Sequence, residues 1–516
     1  MLSSSKRPIV RVGRGATYIF IQGFSSALLG VIYIMFLTRF LPEVEEIGVF
    51  AILTFILFLA QALGTFALPS AATKYVSQYL AEGKREEAKS IVARIMQITI
   101  ITSLVSFFLL ISFADALSKL LGAPSLVFQI LSLASVFIIF YTQAGGFLQG
   151  LQKMREYAII NFAFTVIQYG STIVLVFFGF GLLSIVIGWV LGYATASVVS
   201  LAVTAKCLGL FGKRYPLKPL AKFSFPLFIS GILSFMSNWV DQLFILPFLG
   251  KEKLGIYNIV TRAYIVPNLI STSIIIALFP QLSELYAREG ESALRDAFRV
   301  STRYAIAVGF PLIAGLAVLA HPIMILFAGP AYAEGSVPLV ILCVASLFAA
   351  VGVPITPTLL TLGRSGLASA IAVVAILVDT LMSYVALAFL GWGMIGVAWA
   401  RFLFYAVSFV LGAFVVVRTL DVKFDGEMLW KASASCGALT GAVVLLDLAR
   451  QFLTGSGEFL RFRLLFLPIY VIVGAAAYIS ALIALNAVKK RDVELVEEYL
   501  PSRLKWLARW LNQFIR

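Results

Sequence analysis

Charge is scarce in this chain of 516 residues. Asp, Glu, Lys and Arg together make up 13% of it, about half the share usual in a soluble domain. So little polar surface cannot clothe a water-soluble fold of this length, and intrinsic disorder and collagen-like repeats are excluded on the same ground. Histidine is nearly absent: His321, followed by Pro322, stands alone. A histidine-built metal site or a Ser/His/Asp triad would rest on that one residue, so His321 reads as a helix-end residue near an interface. The three cysteines, Cys207, Cys343 and Cys436, show no CxxC spacing and read as small packing residues rather than a disulfide framework. Neither GxxxxGK[ST] nor GxGxxG occurs, which argues against nucleotide-driven pumping by this chain.

Apolar residues are abundant instead, at 61%, with a mean hydropathy of +0.98. The chain reads as an all-α integral membrane protein. A helix needs about 20 apolar residues to cross the hydrocarbon core. Fourteen such stretches are expected, at 15–40, 47–68, 91–113, 125–148, 157–178, 182–205, 223–249, 255–282, 304–328, 337–361, 366–390, 393–417, 431–452 and 464–488. The first is too long for the apolar core of a cleavable signal peptide and lacks a well-placed small-x-small site. With the N-terminus inside, thirty-one Lys and Arg fall in cytoplasmic segments and seven in outer ones, while Arg262 and Arg401 lie within spans. That asymmetry predicts a multi-pass plasma-membrane protein with both termini cytoplasmic. It also explains the net charge of +15 as topology rather than nucleic-acid binding.

The sequence repeats itself. IGVF at 47–50 corresponds to LGIY at 254–257, and YLAEG at 79–83 to YAREG at 286–290; GFGLLSIVIGWVLGYA from 179 corresponds to GWGMIGVAWARFLFYA from 391. Two six-helix lobes are expected, 1–210 and 215–420, with two further helices within 430–488 and a cytoplasmic tail over 489–516. An even number of spans per unit makes the repeats parallel, an arrangement that places a substrate site between lobes. In the tail, Leu504, Leu507, Leu511 and Phe514 form an apolar stripe flanked by Trp506 and Trp510 and interleaved with Arg503, Lys505 and Arg509. It reads as an amphipathic helix on the inner leaflet. Segments 79–94 and 284–303 read as mixed-charge cytoplasmic helices.

Several stretches resemble a known family. RGATYIFIQGFSSALLGVIYIMFLTRFLPEVEEIGVF near the start, ALPSAATKYVSQYLAEG (67–83), FLQGLQKM (147–154), KFSFPLFISGILSFMSNWVDQLFILPFLGKEKLGIYNIVTRA (222–263) and ALFPQLSELYAREG (277–290) are similar to polysaccharide-biosynthesis exporters of the O-antigen flippase type. These belong to the multidrug/oligosaccharidyl-lipid/polysaccharide exporter superfamily. The resemblance spans about residues 10–420 and implies twelve core helices in two lobes around a central cavity, with two extra C-terminal helices. It implies translocation of a polyprenyl-linked oligosaccharide across the cytoplasmic membrane by alternating access. It also implies partners: the lipid-linked glycan, membrane lipids and, as candidates, glycan-assembly enzymes. A drug/cation antiporter and a lipid II flippase are the alternatives within the superfamily. No cofactor is expected. A coupling ion, H+ or Na+, is expected, since no nucleotide motif is present. Short outer connections without paired carboxylates argue against a membrane enzyme.

Polar residues within spans are the candidate site, because an ionisable group at mid-bilayer is costly and turns toward protein or water. Asp241 and Arg262 flank the turn near 251 at similar depth. Ser234, Asn238 and Asp241 share one helical face; Asn258 and Arg262 share another, with Asn268 nearby. Two readings stand side by side: a cavity wall for an anionic sugar or pyrophosphate, with Asp241 a proton or sodium site, or a structural ion pair. Asp379 and Arg401 repeat the geometry around the turn at 391, where a structural pair is preferred. Gln22 and Gln61 can both donate to and accept from sugar hydroxyls, or else bridge helices, the preferred reading. Arg14 could meet a diphosphate at the inward mouth or simply be a positive-inside flank. Asp447 and Arg450 read as a surface pair at i, i+3.

Overall fold

With no water available in hydrocarbon, each backbone N–H and C=O of a spanning segment must be satisfied within the segment, which leaves helices for a chain of this pattern. The computed structural model describes residues 6–41, 43–264, 282–454 and 466–487, with side chains from Tyr18 onward except Phe20, Leu453 and Thr454. Among these residues all regular structure is helical. The helices are α1 (Lys6–Phe40), α2 (Val44–Thr65), α3 (Leu68–Ala81), α4 (Arg85–Leu121), α5 (Ser125–Gly150), α6 (Met154–Phe177), α7 (Leu182–Cys207) and α8 (Leu217–Ala263). A helical stretch over 282–289 leads to α9 (Glu291–Val318) and α10 (Ala320–Ala328). Then follow α11 (Ser336–Val351), α12 (Ile355–Thr361), α13 (Ser365–Ala388), α14 (Gly393–Leu420), α15 (Gly426–Thr454) and α16 (Leu467–Ala484).

Thirteen helical segments among the described residues are long and apolar enough to cross a membrane, and they match thirteen of the fourteen expected spans. The other, 255–282, runs mostly through residues outside the described ranges, as does the tail 489–516. The chain is an all-α, multi-pass membrane protein. Ile101, Val105, Phe108 and Phe113 of α4 stand well exposed, as side chains facing lipid must.

Segments 79–94 and 284–303 are not single helices. Each is broken by a glycine, Gly83 at φ 73° and Gly290 at φ 78°, a conformation that disfavours any side chain with a Cβ. The residue that follows the short turn starts a helix that continues straight into the membrane span. Expected span 304–328 is likewise split at Leu319, and 337–361 at Gly352–Pro354.

The chain divides into two compact units. The first holds residues 1–239 and 249–258, the second 240–248 and 259–516. In the first, a buried cluster joins Leu68, Ala72 and Val76 of α3, Ile91 and Ile95 of α4, Ala144 and Phe147 of α5, and Leu208. Small residues let these backbones meet, the usual device where lipid offers no hydrophobic drive between helices. A Cβ on Gly146 would fall 2.6 Å from the Pro69 carbonyl oxygen. At the other end of α2, a Cβ on Gly48 would fall 2.0 Å from the carbonyl oxygen of Lys251, and one on Gly255 2.5 Å from that of Val44. The Lys251 ammonium pairs there with Glu45 at 2.9 Å. Gly250, at φ 84°, breaks α8 just before this contact.

In the second unit, Leu294, Phe298, Ile355, Leu359, Val416, Leu420 and Val422 form the corresponding cluster. Phe298, Ile355 and Leu420 stand 207, 211 and 212 residues after Ile91, Ala144 and Leu208 of the first cluster, close to the sequence-repeat offsets. Helices α15 and α16 pack together and against α9. Tyr478 donates to the Ala307 carbonyl at 3.1 Å, and Gly474 lies against Leu439 and Val443. Asp447 and Arg450 are not a surface pair. Arg450 is 6% exposed, and Tyr470 of α16 bonds both, at 2.8 Å to Asp447 and 3.0 Å from Arg450 Nε. The facing helix thus turns a local i, i+3 pair into a buried interhelical knot.

Candidate functional site

The turn between α13 and α14 is short, so the two helices run antiparallel and residues equally far from it meet. Asp379 and Arg401 meet this way: Nη1 lies 3.2 Å from Asp379 Oδ2. A third residue joins them from the 240–248 stretch of the same unit. Arg401 presents Nη2 and Nε side-on to the Asp241 carboxylate, at 2.9 and 3.3 Å. Asp241 Oδ1 also accepts from the Gln242 backbone N–H at 2.9 Å. The guanidinium lies 5.2 Å from the centre of the Phe404 ring. Asp379, Asp241 and Arg401 are 0%, 2% and 7% exposed.

One cation is thus shared between two buried carboxylates, and the sharing is unequal. Asp241 receives the two-pronged contact and a backbone donor. Asp379 accepts no hydrogen bond from the described residues at either oxygen, and the Ser383 hydroxyl one turn away is also buried without a partner. A carboxylate removed from water and held by a shared charge alone is poorly compensated.

The other candidates among the described residues lie on α1, α2 and α8. Arg262 is half-buried near the end of α8, and Asn258, one turn before it, is 2% exposed. Asn238 is exposed and donates to the Ser234 carbonyl of its own helix at 2.7 Å. Gln61 bridges α2 to α5 through Thr142 at 3.0 Å. Gln22 donates to Ser26 on its own helix at 3.0 Å, and Ser26 reaches Thr165 of α6 at 2.9 Å. Arg14 lies on α1 with its side chain outside the described set, and Asn268 is outside the described residues altogether. His321, exposed at the start of α10, has Nδ1 3.3 Å from Ser336 Oγ. The three cysteines are free thiols.

The Asp241–Arg401 contact escaped the sequence reading because it joins residues 160 apart, beyond any helical period or turn count. The Asn161 carboxamide, which accepts from Tyr141, was likewise not singled out. Its only signal was an amide within an apolar run.

The sequence pattern of the family described as polysaccharide biosynthesis protein matches residues 12–286, more than half of the chain. The chain belongs to that family. Among curated relatives, the probable low-salt glycan biosynthesis flippase Agl15 of Haloferax volcanii is 23% identical over 434 residues, covering 84% of this chain and 89% of its own length. Stage V sporulation protein B of Bacillus subtilis is 27% identical over 149 residues, 28% of this chain and 29% of that protein. Among solved structures, the lipid II flippase MurJ in its inward closed conformation superposes with a TM-score of 0.69 at 19% identity, over 90% of this chain and 97% of that one. An inward-facing multidrug resistance MATE family transporter of the MOP superfamily gives 0.65 at 14% identity, over 77% and 95%. These likenesses establish a shared fold for this member of the polysaccharide biosynthesis family.

Proposed function

We propose that this chain is a flippase that carries a lipid-linked oligosaccharide across the cytoplasmic membrane by alternating access, for the assembly of a polysaccharide or glycoconjugate. The observation that carries this reading is the family match, extended by similarity along most of the chain to a relative described as a glycan biosynthesis flippase. The membrane-spanning helices support it, and the Lys and Arg distribution supports cytoplasmic termini. Membrane lipids hold the carrier's isoprenoid, and glycan-assembly enzymes are candidate partners at the inner face. Transport is coupled to a cation, H+ or Na+. The Asp379 carboxylate is where the ion would be taken up, because neutralising it relieves a buried charge that Arg401 serves only in part. The fold shared with MurJ favours lipid II as the second substrate to be tested.

The test is translocation in proteoliposomes of the purified protein. A fluorescent polyprenyl-diphosphate oligosaccharide is offered under an imposed pH gradient, an imposed sodium gradient, or none, with lipid II as competitor. Flipping that responds to one gradient and resists competition is the expected result, and Asp379→Asn should abolish the response to the gradient. Flipping abolished by lipid II would move the substrate to that glycolipid. Uptake of a cationic dye without glycan flipping would reject the proposal in favour of drug antiport.

A further inference from the structure

A cavity of about 330 Å3 opens in the first unit where α2 and α5 end and α3 and α6 begin. Its size falls in the range of about 300–1,000 Å3 usual for small-ligand pockets. Gln61, Tyr141, Thr142, Gln149 and Tyr157 line it, and no Asp, Glu, Lys, Arg or His does. Gly145 forms part of the wall beneath Tyr157: a Cβ there would stand 3.2 Å from the ring.

Some of these groups are committed and others are not. Gln61 Nε2 donates to Thr142 at 3.0 Å, which leaves its second N–H and the carboxamide oxygen. Tyr141 donates to Asn161. The Gln149 carboxamide and the Tyr157 hydroxyl make no hydrogen bond with the described residues. The cavity therefore offers donors and acceptors together beside an aromatic face, with no fixed charge. A cationic drug would need an acid here, and a phosphate a cation. A neutral sugar ring needs neither. Its hydroxyls both donate and accept, as amides do, and its C–H face suits an aromatic ring.

We infer that this cavity is a subsite for one neutral pyranose ring of the glycan, read by Gln61 and Gln149 and stacked on Tyr157. The inference rests on the reading of the chain as an oligosaccharide carrier and adds where, and with what charge, a sugar is held. Lys153 lies in the connection from α5 to α6 at this end, Arg155 in the first turn of α6, and Lys74 on α3. By the positive-inside rule this is the cytoplasmic side, where a glycan awaiting export is loaded.

Saturation-transfer NMR on the full chain in lipid nanodiscs tests this. The probes are methyl α-D-glucopyranoside, methyl α-D-mannopyranoside, methyl α-D-galactopyranoside and methyl N-acetyl-β-D-glucosaminide, with methyl glucuronoside as the charged counterpart. At least one neutral glycoside should receive saturation, and the glucuronoside less. Gln149→Leu and Tyr157→Leu should each weaken the signal-derived affinity about tenfold. Gln129→Leu, on the same helix outside the cavity, should leave it unchanged. Gln149 has no partner to lose, so its variant should fold. The subsite is overturned if no neutral glycoside receives saturation, or if wild type and both cavity variants bind alike. Flipping in proteoliposomes is read separately. Flipping without glycoside binding removes the subsite alone, whereas site-specific binding without flipping removes the transport reading and leaves the subsite.

Discussion

Replacing Arg401 with methionine removes the cation from a site that two carboxylates share. Asp241 and Asp379 lie 2.9 and 3.2 Å from the guanidinium and are 2% and 0% exposed, so water cannot take its place. Breaking a buried pair from one side costs about 3–5 kcal/mol, because the remaining ion keeps its desolvation penalty without its partner. Here two carboxylates are left behind, so Arg401→Met should lose at least about 3 kcal/mol. Asp379→Asn keeps the shape and leaves Arg401 its side-on contact with Asp241, so it should lose clearly less. The double variant Arg401→Met with Asp379→Asn should recover part of the single loss, a coupling of about 1–3 kcal/mol. Denaturant or SDS titration of the detergent-solubilised protein, followed by tryptophan fluorescence, measures all four corners of the cycle. A loss below about 1 kcal/mol for Arg401→Met would refute the reasoning, since only a water-filled, screened site tolerates the change so easily. The same variants separate function from architecture: near-native stability with a lost gradient response in Asp379→Asn marks an ion-loading group. Lost stability with an intact response marks a structural lock.

Three further outcomes follow from the packing. Gly48→Ala would set a methyl group 2.0 Å from the Lys251 carbonyl oxygen and should lower stability by about 1–3 kcal/mol. Gly441→Ala, at a helical glycine with open space around it, should be neutral or stabilising by up to about 1 kcal/mol in the same denaturant titration. Tyr470→Phe removes the hydroxyl that bonds both Asp447 and Arg450 and should cost about 1–3 kcal/mol. Faster amide hydrogen exchange in α16 would report it.

Much of the fold was legible because membrane spans are written as long apolar runs, and thirteen expected runs coincide with helices. The repeat was legible because the same turns recur in both copies, down to Gly83 and Gly290 with nearly equal φ. Asp379 and Arg401 were legible as neighbours because a short turn fixes which residues of two antiparallel helices face one another. Asp241 was set opposite the next span by the same reasoning, and the structure brings it to Arg401. That partner lies on a helix remote in sequence, and no local spacing encodes which helices become neighbours. The breaks at Leu319 and Gly352 lie inside runs long enough to span a membrane, so the local signals there, His321-Pro322 and Gly352-Val353-Pro354, were read as features within one span. The burial of Arg450 required Tyr470 from the facing helix, which pattern along one helix cannot supply.

The way the chain is apportioned between its units bears on how it is made. It passes from the first unit to the second after residue 239, back after 248, and across again after 258. The first unit therefore lacks a piece of itself, including the glycine seated against the start of α2, until residue 258 has been synthesised. No single cut releases both units whole. A ribosome that has finished residue 239 carries an unfinished bundle, and fragments divided there should have to be expressed together to reassemble.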